Sequence, residues 1–316
     1  MSAEAHRSFA CFGGVATIHI GEREPGAGEA AASRARERLL DAHRRLSRFE
    51  AASELSQLNR DPRAEVPGSA LLRSLAGAVA SAGSHSDGLV DATLLGAIER
   101  AGYRESLGEQ RPIPLAEALA THPERAPATP DPAARWRLVS VDRTAGTISR
   151  PPGLEIDSGG IAKGLLADLL ATELGSAQTY AIDCCGDVRI GGRARRPRRG
   201  IVDSPFGGEP LGELRVTEGA VATSGISRRC WVGPDGAIAH HILDPFSGKP
   251  AFTGIVQVTA LAPSALLAEV YAKAALLSGP QAARRRLPHG GVLVFDDGEA
   301  EFVGIESGTG AVAVAS

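Results

Sequence analysis

A chain of 316 residues, 43% hydrophobic and 22% charged, has the length of one large or two ordinary folded units and the composition of a water-soluble protein. A net charge of −3 with only 4% aromatic residues gives no basic surface for nucleic acid or anionic membrane and no platform for stacking bases. No segment reaches the roughly 20 apolar residues that span a bilayer, the opening MSAEAHRSFACFGG lacks a basic region followed by an apolar run, and the four cysteines (Cys11, Cys184, Cys185, Cys230) have no zinc-like spacing. A cytoplasmic protein with reduced thiols, no nucleic-acid partner and no membrane insertion is expected.

Taken in order, residues 8–20 read as a strand with a glycine kink, and an amphipathic helix follows from about Ser33 to Phe49. Ser53 is placed to cap a short helix near whose end Asn59 stands, where it reads as a turn residue. A helix over about Ala70–His85 leads to DGLVDATLLG, in which Asp91 and Thr93 flank a turn entering another helix, so that Asp91 reads equally as a cap. Residues 105–135, rich in Pro, Ala and charge, read as a surface excursion with one short helix, and WRLVSVDRTAGTISR as a hairpin.

The stretch Leu154–Gly175, LEIDSGGIAKGLLADLLATELG, reads as a short strand, a Ser-Gly-Gly turn and a helix closed by Gly175. Gly159 and Gly160 before a helix leave its backbone N–H groups open to an anion such as a nucleotide pyrophosphate, with Lys163 adding a cation in the first turn. Two glycines in that position also make an ordinary tight turn, and the spacing is neither Walker A nor GxGxxG. The lysine inventory favours the anion: among 34 Lys and Arg, the lysines are Lys163, Lys249 and Lys273 alone, and an ammonium is not interchangeable with a guanidinium.

Beyond it, TYAIDCCGDVRIGG reads as a buried strand ending in a turn at Cys185–Asp187, and RARRPRRG as a solvated hairpin tip. Further short strands follow, then IVQVTALAP, an alanine-rich helix over residues 264–278, and a closing hairpin. Strands joined mostly by hairpins and interleaved with helices point to an α+β fold. Of the adjacent His240 and His241, strand geometry turns one inward, and metal binding by both is disfavoured because neighbours face opposite sides.

The motifs DSGGIAKGLLAD, IDCCGDVRIGG, VATSG and HHILDPFSGKP, in this order, with SELSQLNR and GLVDATLLG upstream, resemble the signature of the ApbE family of FAD:protein FMN transferases over about residues 8–305. The resemblance implies an α+β, T-fold-like single unit of two joined lobes with antiparallel and mixed sheets, packed helices and FAD between the lobes. It implies an enzyme that cleaves FAD with Mg2+ and attaches FMN through a phosphoester to a Thr or Ser of an acceptor flavoprotein, releasing AMP. Carried over by motif, Asn59, Asp91, Thr93, Gly159, Gly160, Lys163 and Asp168 line the flavin and pyrophosphate site. Ser224 and Gly225 contact the cofactor, Ala162 offers its carbonyl to the metal, and His241 is the base for the acceptor hydroxyl.

One departure stands out. Where the family shows an Asp and, four residues later, a Thr toward the metal, this chain has Glu269 and Lys273. Glu269 remains an oxygen ligand, whereas a protonated Lys273 cannot ligate Mg2+; it either lends its own charge to the pyrophosphate or forms an ordinary helix pair with Glu269. Cys185 in the Gly-Gly-Asp turn and Ile226 after Ser-Gly are smaller departures. An FAD carrier or sensor without transfer, and an FAD pyrophosphatase, are the alternative readings.

Overall fold

The computed structural model describes residues 4–24, 26–105, 113–305 and 311–313. The hairpin β1 (Ala5–Cys11)–β2 (Gly14–Gly21) leads to α1 (Ala27–Arg45), α2 (Glu54–Arg60), β3 (Glu65–Pro67), α3 (Ala70–His85), α4 (Leu95–Arg100) and α5 (Leu115–Thr121). The hairpin β4 (Ser140–Asp142)–β5 (Thr147–Ser149) precedes α6 (Ala162–Glu173), and β6 (Thr179–Cys184) turns into β7 (Asp187–Gly191). Next come β8 (Arg198–Val202), β9 (Gly212–Gly225), β10 (Cys230–Val232), β11 (Ile238–His240) and β12 (Ile255–Ala262). The chain ends on α7 (Ala265–Ser278), α8 (Pro280–Ala283), β13 (Gly291–Phe295), β14 (Ala300–Val303) and β15 (Ala311–Ala313).

Among the described residues ten strands form the principal sheet, in the order β1-β2-β6-β7-β9-β12-β13-β14 with β8 and β15 also on β9. Every pairing is antiparallel except that of β15. Short hairpins join β1–β2, β6–β7 and β13–β14, whereas β2 and β6, and β12 and β13, run antiparallel across helical connections. Strand β9 changes partners midway, pairing β8 through Gly212–Val216 and β7 through Gly219–Ala222. Gly219, at φ 116°, absorbs the bend that a side chain resists.

The period of two sorts the sheet into two faces. Ile18, Ile182, Ala220 and Ala262 are fully buried in the core shared with α1, α3, α6 and α7. Their neighbours Thr17, His19, Ala181, Asp183, Val221, Thr223 and Thr259 look the other way and floor a large cleft. The apolar stripe of α6 is as expected, with Leu166 and Leu170 buried; each such side chain contributes about 1.5–3 kcal/mol.

Several boundaries differ from the sequence reading. Helix α1 starts at Ala27 and stops at Arg45, before Phe49. Leu154–Asp157 belongs to no strand among the described residues: the Asn59 side chain donates to the Ile156 carbonyl at 2.9 Å and accepts from its N–H at 2.8 Å, taking a strand's place. Gly175 follows the C-cap Leu174 without a left-handed φ. Arg198–Gly200 of the supposed hairpin tip open β8. Residues 106–112 of the excursion lie outside the described residues, and α5 is its short helix. No helix among the described residues is long and apolar enough to cross a membrane.

Helices α6 and α7 meet almost backbone to backbone at Gly164, where a Cβ would lie 2.5 Å from the Ala265 carbonyl oxygen. Gly164→Ala is therefore expected to destabilise by about 1–3 kcal/mol despite alanine's better helix propensity. Urea unfolding checks this; a stabilised variant would contradict the contact.

Candidate active site

The cleft, about 1790 Å³, lies between the sheet floor and loops from α1–α2, α3–α4, the α6 entry, β9–β10 and β11–β12. That exceeds the roughly 300–1,000 Å³ of a drug-sized pocket and suits a dinucleotide. Seven Lys and Arg against five Asp and Glu line it, a local positive excess in a chain of net −3 that favours a polyanion.

At its inner end two lysines and two acids converge. Asp187 enters β7 directly after the turn at Cys185 and Gly186, whose φ values of 58° and 96° fit a tight hairpin. Its Oδ2 lies 2.5 Å from Lys163 Nζ. Glu269, fully buried on α7, receives Lys273 Nζ at 2.9 Å on Oε1, with Lys163 Nζ 3.8 Å from the same oxygen. Glu269 Oε2 accepts the Gly164 N–H at 3.0 Å. The N-terminus of α6 thus already holds an anion, this carboxylate, which corrects the expectation of an open row of N–H donors. The cations here are Lys163 and Lys273, and both line the cleft.

Burial pushes the Asp187 carboxyl up to about 7, although Lys163 opposes it. Burial alone would raise Glu269 as well, but Lys273 and Lys163 hold it below its ordinary value. Burial acts to lower Lys163, and Asp187 and Glu269 outweigh it, so its ammonium stays charged.

The two histidines part as strand alternation requires. His240, on β11, is wholly buried against Phe252, and His241 lines the cleft. Burial, then the cations Arg229, Lys273 and Lys163 with His240, holds His241 well below 6.5, so it is a neutral imidazole at pH 7. Its Nδ1 has no hydrogen-bond partner among the described residues. His240 is lowered to about 3, chiefly by burial and then by His122. Because its folded value lies below 6.5, the folded state resists protonation, and stability falls as pH drops from about 6.5 toward 3, by up to about 1.4 kcal/mol per pH unit. Urea midpoints at pH 7 and pH 5 check this, and His240→Gln should narrow the difference.

Of the other predicted residues, Gly159, Gly160, Ala162, Ser224, Gly225 and Asp91 line the cleft. Asp91 Oδ1 accepts the Thr93 N–H and hydroxyl at 2.8 and 2.7 Å, Oδ2 is buried without a partner among the described residues, and burial raises the carboxyl above its usual range. Thr93, Asn59 and Asp168 stand behind the wall. Thr93 holds Asp91, and Asn59 holds Ile156. Asp168 accepts the N–H groups of Ala265 and Leu266 at 2.8 and 2.9 Å, capping α7 from a neighbouring helix. These three position the site and do not touch the cleft.

Sequence reading missed Arg48, Phe49 and Tyr103. The Arg48 guanidinium lies 4.3 and 4.6 Å from the two ring centroids, donates to the Tyr103 carbonyl at 2.8 Å and reaches Asp157 at 3.3 Å. They come from distant segments, and the only signal was an arginine beside an aromatic residue at a helix end.

The expected Mg2+ donors do not fit. A hard cation of this kind takes about six oxygens at ~2.0–2.1 Å. Both oxygens of Glu269 are engaged by N–H donors, and among the described residues no group of three or more His, Cys, Asp or Glu side chains is arranged to hold a metal. An ammonium about 4 Å from a divalent ion is repelled by roughly 8 kcal/mol at an effective dielectric of ~20.

Comparison with known proteins agrees with this architecture. Curated relatives include FAD:protein FMN transferases of Treponema pallidum, 34% identical over 141 residues (40% of this chain, 39% of the relative), and of Vibrio cholerae, 30% identical over 162 residues (48% of each). The matched part thus spans less than half of the length of these relatives. Among solved structures, the ApbE protein of Thermotoga maritima superposes with TM-score 0.76 at 24% identity, covering 96% of this chain and 97% of that one. The apo flavinyl transferase ApbE of Pseudomonas stutzeri gives 0.72 at 22%, covering 95% and 94%. These likenesses are of fold. Residues 12–294 match the ApbE family, and the chain belongs to it.

Proposed function

We propose that this chain is an FAD:protein FMN transferase, with residues 8–305 as the unit that carries the activity. The observation that supports it most is the meeting of a neutral histidine and two ammonium groups in one large cationic cleft, in a chain of this family. FAD lies in the cleft with its diphosphate toward Lys163 and Lys273, and Gly159, Gly160, Ser224 and Gly225 let it approach the backbone. The acceptor's Thr or Ser oxygen attacks the flavin-side phosphorus, the bond from that phosphorus to the bridging oxygen breaks, and AMP leaves. The hydroxyl proton passes to His241, and the two ammoniums stabilise charge on the departing AMP.

Of the family's Mg2+ donors at Ala162 and Glu269, both oxygens of Glu269 are already engaged by ammonium and N–H groups, and no step above runs through the metal. The four free cysteines are in keeping with a reducing, cytoplasmic setting.

Incubating the protein with FAD and an acceptor flavoprotein tests the reading, with intact mass of the acceptor read beside chromatography of the nucleotides. An acceptor heavier by one FMN residue, with AMP released, is expected. Free FMN and AMP with the acceptor unchanged would make the chain a pyrophosphatase, and intact bound FAD would make it a carrier.

A further inference from the structure

We propose that the Lys273 ammonium, seated on Glu269 beside Lys163, takes the place of a divalent cation, so that this cleft holds the FAD diphosphate without Mg2+. The inference rests on the FAD reading above and concerns the same site.

The oxygens tell the story one by one. Glu269 Oε2 is occupied by the Gly164 N–H at 3.0 Å, Glu269 Oε1 by Lys273 Nζ at 2.9 Å, and Asp187 Oδ2 by Lys163 Nζ at 2.5 Å. Asp187 Oδ1 has no partner among the described residues, but it is buried behind Lys163 on a wholly covered residue, and one oxygen does not make a cation site. The cluster therefore turns cations, not carboxylates, toward the cleft.

Lys273 is placed to serve there. Its Cε packs over Gly160, where an added Cβ would lie 3.7 Å away, and both residues line the cleft. One of its three donors is spent on Glu269, and two remain for phosphate oxygens. The i,i+4 tether to a buried carboxylate fixes the ammonium before the ligand arrives, as a metal's protein ligands would fix the ion. Lys163, sharing the same Glu269 oxygen, supplies the second positive charge.

FAD titration by flavin fluorescence tests this, in EDTA and in saturating Mg2+, on the wild-type protein and on Lys273→Thr and Lys273→Met. The wild-type Kd is expected to be the same in both media, and calorimetry with Mn2+ alone to show no saturable site. Lys273→Met should lose roughly 10- to 100-fold in affinity, and Lys273→Thr should lose as much in EDTA but regain it with Mg2+. Wild-type FAD binding that tightens tenfold or more on adding Mg2+ would overturn the inference while leaving the transferase reading intact. So would Lys273 variants that bind FAD in EDTA as the wild type does. No FAD bound in either medium would remove the transferase reading itself, and the inference with it.

Discussion

Replacing His241 with alanine is expected to lower transfer of FMN to the acceptor by roughly 10²–10⁴-fold while leaving FAD affinity within a few fold. The asymmetry follows from where the ring sits. The ring lines the cleft, its Nδ1 is buried without a hydrogen-bond partner among the described residues, and burial with the surrounding cations keeps it neutral. A neutral imidazole contributes little to holding a diphosphate, whose charge in the proposed complex would be met by Lys163 and Lys273; the burial and cations that keep the ring neutral also lower its basicity, which the negative charge of the bound diphosphate would have to restore for it to take the hydroxyl proton. Because its value lies well below 6.5, the base form persists as pH falls, and no loss of transfer assigned to His241 should occur between pH 8 and pH 6.5. Steady-state transfer rates on a purified acceptor, with FAD titrated separately, separate the two effects. A variant with full transfer would remove the residue from its role.

Glu269→Ala is expected to cost about 3–5 kcal/mol of folding stability, among the largest effects of any single substitution here. The carboxylate is wholly buried and answers three donors: the Gly164 N–H, Lys273 and, at longer range, Lys163. Removing it leaves the two ammoniums that shared its Oε1 with Asp187 as their remaining acidic neighbour among the described residues, and strips the α6 N-terminus of its anion. The double variant Glu269→Ala/Lys273→Met should recover part of the loss, since it removes the stranded charge together with its partner. Urea unfolding of the three proteins measures this. A loss below about 1 kcal/mol in the single variant would mean that the site is wetter than its geometry implies.

Much of this was legible in the chain because it is local. The Ala70–His85 helix, the Ser53 cap, the β6–β7 turn and the inward–outward split of His240 and His241 each follow from a few adjacent residues. What escaped was long-range. Leu154–Asp157 has a strand's composition, but its pairing partner is the amide of Asn59, almost a hundred residues away, and no periodicity reveals that. Asp168 looked like a cofactor ligand because it lies in the glycine motif; it is spent on the first N–H groups of α7. The helix N-terminus looked open because nothing in LEIDSGGIAKG announces that Glu269 will fill it. Of the three scarce lysines, Lys163 and Lys273 meet over one carboxylate oxygen, while Lys249 sits apart in a turn beside Asp244.

A crystal structure of the protein with FAD, grown in EDTA, tests the central claim most directly. FAD is expected in the cleft over the β6–β7–β9–β12 floor, its diphosphate within hydrogen-bond reach of Lys163 or Lys273 and its flavin-side phosphorus facing His241. FAD bound elsewhere, or a cleft left empty at saturating FAD, would contradict it.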